Sequence, residues 1–203
     1  MNGGRLPSLM ARIINRKALI VVIVLSVASF AAGCSSVGGD PKEDANKAVS
    51  AANRSISEHN KLFGEARSTY EDVKKKIETS EDPSKEKDRI TQARSQMQEA
   101  RGNLQDARSS MQEVQDLDVE PAVKDYAETL TTAMSDQLAA EAKEIEFYGI
   151  LEKDPALKDE RDKAVDLLSE VGDGYEKAEK SYDEAQKLAD SKPKLIQVPG
   201  SKS

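Results

Sequence analysis

The chain has 203 residues with 30 basic and 37 acidic side chains, one histidine, one cysteine and no tryptophan. A net charge of −7 repels nucleic acid and anionic lipid headgroups, and aromatics at 4% leave few of the large flat faces that sugar clefts and interface hot spots use. One cysteine excludes an internal disulfide, and one histidine excludes the di-iron site of helical bundles, which takes a Glu-x-x-His from each of two helices.

Residues 1–33 carry Arg5, Arg12, Arg16 and Lys17 and no acid, so 26 bases face 37 acids in the remainder, net −11. The bases precede a 15-residue apolar run at 18–32, "ALIVVIVLSVASFAA". Charge, apolar run and small residues in that order are the layout of a secretory signal. A bilayer core needs roughly 20 residues for a comfortable span, so an uncleaved transmembrane anchor is the weaker alternative.

The residues ahead of the lone cysteine, Ala31, Ala32, Gly33 and Cys34, resemble the lipobox of bacterial lipoproteins, with Ala31 where the family usually carries Leu. The resemblance implies diacylglycerol transfer to the Cys34 sulfur and cleavage between Gly33 and Cys34. Other roles for Cys34 lack their partners: a zinc site takes about four ligands, and a reactive thiolate needs a base or cation beside it. More than one acyl chain is needed to hold a protein stably at a membrane, and a diacylglyceryl group meets that need.

Residues 35–39, "SSVGG", form a flexible tether that extends only about 17 Å. Beyond it, Asp40-Pro41, Asp82-Pro83, Glu120-Pro121 and Asp154-Pro155 follow at spacings of 42, 38 and 34 residues. Proline suits the first helical position, and a preceding acid can cap free backbone donors. The four dipeptides therefore predict four helix starts.

Between the starts, apolar residues recur in alternating steps of three and four. The second helix shows it most plainly, with Ile90, Ala93, Met97, Ala100, Leu104, Ala107, Met111 and Val114. Such periodicity over several heptads predicts coiled-coil-like packing, and short connections favour antiparallel neighbours. The expected fold is all-α, an elongated up-down-up-down four-helix bundle over 41–191, with 192–203 a flexible tail in which "KLIQV" could dock as a strand. A three-helix bundle exchanging its fourth helix, or an intermolecular coiled coil, is the rival.

Four seam positions are polar: His59, Gln137, Glu144 and Arg161. Counting heights from the turns places His59, Gln137 and Tyr175 in one buried layer and brings Glu144 within reach of Arg161. Buried polar groups of this kind set helix alignment; a ligand pocket or pH sensor at His59 is the alternative. Glu141, Glu144 and Glu146 lie on an acid-rich helix whose default is a solvated face. Gly64, Gly102, Gly172 and Gly174 fall at similar heights; tolerated surface glycines are the default there, with a local loosening or bend of the helices the alternative, and "EVGDGYEK" could split the fourth.

Neither a nucleophile motif nor a glycine-rich phosphate loop occurs. The expectation is a non-enzymatic envelope lipoprotein without metal or cofactor beyond the covalent lipid, a scaffold or adaptor for an envelope protein. In layout the chain resembles small helical lipoproteins of Gram-positive bacteria assigned to cell-wall binding. Wall binding or ligand carriage is the alternative. The resemblance implies an outward-facing, lipid-anchored position on the cell membrane, or on the outer membrane of a cell with two, since Ser35 and not Asp follows the cysteine.

Overall fold

The computed structural model describes residues 40–79, 82–193, 195 and 196. The signal segment, the lipobox and Cys34 lie outside the described residues. These comprise four α-helices and no strand: α1 Pro41–Thr79, α2 Lys87–Asp116, α3 Pro121–Lys153 and α4 Arg161–Ser191, with a 3-10 turn Pro83–Glu86 leading into α2.

Three of the four prolines open helical segments, two of them behind an Asp whose side chain caps a backbone amide. Asp40 accepts the Lys42 amide on its carboxylate at 3.0 Å and the Asp44 amide on its carbonyl at 3.0 Å, opening α1. The Asp82 carboxylate accepts the Ser84 amide at 3.2 Å and launches the 3-10 turn. Pro121 opens α3, where the Glu120 carbonyl accepts the Val123 amide at 2.9 Å and the Glu120 carboxylate meets Lys42 Nζ at 3.2 Å.

The fourth start is different. Asp154 uses its carbonyl for the Leu157 amide at 3.0 Å and its carboxylate for the Asp159 amide at 2.9 Å, which closes a turn in place of a helix. Leu157 takes the left-handed conformation, φ 49°, and turns its side chain into the core. That backbone costs a non-glycine residue roughly 1–2 kcal/mol, and burying a leucine contributes roughly 1.5–3 kcal/mol, so burial decides. Helix α4 starts at Arg161.

The apolar periodicity maps onto burial. The eight seam residues of α2 are its buried set. The same spacing marks Val123, Tyr126, Leu130, Ala133, Gln137, Ala140, Glu144, Phe147 and Leu151 on α3, and the helix buries a wider face, adding Ala127, Met134, Leu138, Glu141, Tyr148 and Ile150. The core falls into two apolar clusters. One gathers Val49, Met111, Leu130 and Tyr182, and the other Phe63, Tyr70, Met97, Phe147 and Leu168. Cα atoms of α1 and α2, of α2 and α3, and of α3 and α4 approach within 8 Å, whereas none of α1 comes that close to α4.

Helices α1, α2 and α4 run unbroken through their glycines, so "EVGDGYEK" does not split the fourth. At Gly174 a Cβ would lie 2.9 Å from Ala140 Cβ and 3.3 Å from its Cα, so this glycine lets α4 approach α3, while Gly64 and Gly102 face open space. The described start of the tail docks as a turn: the Leu195 and Ile196 amides both reach the Lys192 carbonyl at 2.9 Å, and Ile196, 2% exposed, packs into the first cluster. Residues 197–203 lie outside the described residues. Among those described, no helix is long and apolar enough to cross a membrane.

Candidate functional site

A belt of buried polar groups lies between the two apolar clusters, and α3 supplies its spine. Gln137, Glu141, Glu144 and Tyr148 follow at steps of four, three and four, which places them on one face of the helix. Glu141, 0% exposed, departs from the solvated face expected of this helix, whereas Glu144, 5% exposed, lies at a seam position as read.

Around Glu141, His59 of α1 sets Nε2 at 2.8 Å from Oε1, and Gln137 donates from Nε2 to the same oxygen at 2.9 Å. Gln137 Nε2 is also 3.3 Å from His59 Nε2, and its Oε1 accepts the Tyr182 hydroxyl of α4 at 2.8 Å. The other nitrogen of the ring, Nδ1, lies 3.1 Å from Asn60 Oδ1. Glu141 Oε2 has no hydrogen-bond partner.

Around Glu144, one helical turn further on, three donors converge. Tyr148 donates to Oε1 at 2.8 Å, while Tyr175 of α4 and Arg67 of α1 reach Oε2 at 2.7 and 2.9 Å. The Arg67 guanidinium lies 4.8 Å from the ring centres of both Phe63 and Tyr175. Such stacking suits the weakly hydrated, planar cation. Phe63 meets the Tyr175 edge at 6.0 Å and stacks on His59 at 5.3 Å, so the two halves of the belt share one aromatic wall.

Burial pulls the Arg67 pKa down, but the Glu144 carboxylate beside it, with the Tyr175 phenol, outweighs burial and holds it above its ordinary value. The Tyr148 and Tyr175 phenols are both pushed well up, by burial first and by Glu144 second. At neutral pH Arg67 stays charged and both tyrosines stay neutral donors, the forms these hydrogen bonds require.

Of the expected layer, His59 and Gln137 do meet. Tyr175 binds Glu144 instead, and Glu141 and Tyr182 complete the layer. The ion pair expected for Glu144 is made with Arg67; Arg161 is exposed at the first residue of α4. The physical reason is the 154–160 turn, which delays α4 by about two helical turns relative to a helix starting at Pro155.

No protein-family model, curated protein or solved structure matches the chain.

Glu141, Arg67 and Tyr148 were missed from sequence. One signal was there to find: Ala127, Met134, Glu141 and Tyr148 recur every seven residues beside the main seam of α3, and all four are buried. Arg67 carries no such mark. It belongs to the belt because Phe63, one turn earlier, and Tyr175 offer their faces to its guanidinium. Chemically the belt holds the Arg67–Glu144 ion pair and joins α1, α3 and α4 through side-chain hydrogen bonds. Among the described residues no group of three or more His, Cys, Asp or Glu could hold a metal ion.

Proposed function

We propose that this is a membrane-anchored helical module of the cell envelope, without enzymatic activity, that presents its helical faces to an envelope protein. The observation that carries the reading is the junction between anchor and fold. A lone cysteine stands directly after a signal-like segment, and only six residues separate it from the first helix at Pro41. A lipid on Cys34 would hold a packed bundle close to the bilayer, with its surface free for a partner.

The bundle is read as up-down-up-down with heptad seams. Its inter-helix partners support this: Asp72 with Arg89 and Glu65 with Gln96 between α1 and α2, Glu152 with Arg94 and Thr131 with Gln115 between α2 and α3, and Lys143 with Glu170 and Asp136 with Lys177 between α3 and α4. In each set one residue number rises as its partner's falls.

Cross-linking and mass spectrometry on cells expressing the full chain or Cys34→Ala tests the adaptor role. One protein recovered reproducibly with the lipidated form alone supports it, whereas recovery of wall fragments or of the chain itself moves the function to wall binding or self-assembly. A second reading, carriage of a small ligand, is favoured by the unpartnered Glu141 Oε2 in the belt. It predicts a thermal shift with a cationic or amine ligand that Glu141→Gln abolishes.

A further inference from the structure

We propose that the His59–Glu141 pair is a proton-operated clasp that holds α1 against the α3–α4 pair. Both ring nitrogens of His59 face oxygens, Nε2 toward Glu141 at 2.8 Å and Nδ1 toward Asn60 at 3.1 Å. A ring carrying two protons donates to both and supplies the countercharge to a carboxylate that is fully buried. The belt then balances, with His59 and Arg67 against Glu141 and Glu144.

Loss of either ring proton upsets that balance. If the Nε2 proton leaves, a lone pair faces the carboxylate oxygen at 2.8 Å, and Gln137 Nε2 is the donor placed to turn toward it. That turn takes a hydrogen bond from Glu141, whose Oε2 already lacks one. If the Nδ1 proton leaves, Glu141 keeps its bond but loses its countercharge.

The groups facing His59 explain where the strain goes. From α1 come Asn60 and the stacked Phe63 ring. From α3 come Gln137 and Glu141, with Glu144 committed to Arg67. Helix α4 contributes the Tyr182 hydroxyl through Gln137 and the Tyr175 ring through Phe63. On α2, Arg101 spends its Nε on the Leu138 carbonyl at 3.3 Å. No Cα of α1 comes within 8 Å of α3 or α4, so the seam between α1 and these two helices rests on side chains and gives way first. The clasp needs no lipid anchor to work, so its failure and the anchor's are separate outcomes.

The single histidine makes the test clean. The full chain, 15N-labelled at histidine in detergent micelles, is followed by NMR from about pH 5 to 9 beside amide hydrogen exchange corrected for base catalysis. The expected result is a doubly protonated ring at the acid end. Proton loss is accompanied by roughly tenfold faster exchange in peptides spanning 56–67 and 171–182, with 93–107 on α2 unchanged. In His59→Gln the exchange of those segments no longer depends on pH. A neutral ring at every pH, a titration without a change in exchange, or an equal rise in α2 would overturn the clasp; the wild-type titration decides even where His59→Gln does not fold.

Discussion

Replacing Glu144 by Gln removes the belt's central charge while keeping its shape. The carboxylate receives three donors within 2.7–2.9 Å, and its side chain is 7% exposed beside an Arg67 that is 21% exposed. A glutamine offers one acceptor oxygen and turns an NH2 donor toward at least one of the three. Arg67 is then left charged without its counterion, and breaking a buried pair on one side costs about 3–5 kcal/mol. Water at Arg67 softens the loss, so the lower half of that range is expected. For a domain of this size each kcal/mol shifts Tm by about 2–4 °C, which gives a drop of roughly 6–15 °C in a circular dichroism melt. Pairing Glu144→Gln with Arg67→Met should recover part of it, with a coupling of about 1–3 kcal/mol in a double-mutant cycle. A Glu144→Gln protein melting within about 2 °C of wild type, or two strictly additive substitutions, would refute the belt as a coupled network.

The glycines give a second test: Gly64→Ala and Gly102→Ala should each stabilise by about 0.5–1 kcal/mol, because both face open space, whereas Gly174→Ala should destabilise, since overpacking against Ala140 costs about 1–3 kcal/mol. Urea unfolding of the three variants distinguishes them, and an equal gain at all three would contradict the close approach. Ile196→Ala should cost about 2–4 kcal/mol although the residue lies beyond the last helix, and an unchanged urea midpoint would show that the tail does not seal the core.

All five tyrosines have phenols pushed above the usual value near 10, by burial first and, in every case but Tyr126, by a neighbouring glutamate. A folded-state pKa above the unfolded one means that this contribution to stability is full below about pH 10 and is lost as pH climbs past it, since the unfolded phenols ionise first. Tyrosinate absorbance at 295 nm should therefore stay flat through about pH 11 and then rise together with loss of helix; a gradual rise with the helix intact would contradict the burial.

How much of this was legible in the sequence depended on whether a feature is periodic. The eight seam residues of α2 could be read from spacing alone, because a helix with one apolar stripe has one way to bury it. Asp154-Pro155 carried the same signal as the three true starts but was overridden by Leu157, whose burial favours a left-handed turn over immediate helix. That local choice moved α4 by about two turns, and Glu144 pairs with Arg67 in place of the expected Arg161. The tail shows the same limit: two prolines and few apolar residues left a free tail and a docked "KLIQV" both open, and the burial of Ile196 depends on the open end of the core that it meets. Arg67 could not have been found from spacing, because its place depends on the faces of Phe63 and Tyr175.

The central claim, a helical bundle tied to a membrane through Cys34, is tested most directly by intact-mass measurement of the protein extracted from membranes of cells that make the full chain. The account predicts a chain that begins at Cys34 and carries a diacylglyceryl group on its sulfur, and that is absent from the membrane fraction when Cys34→Ala is made instead. A membrane-bound chain that retains residues 1–33, or a Cys34 with a free thiol, would contradict it.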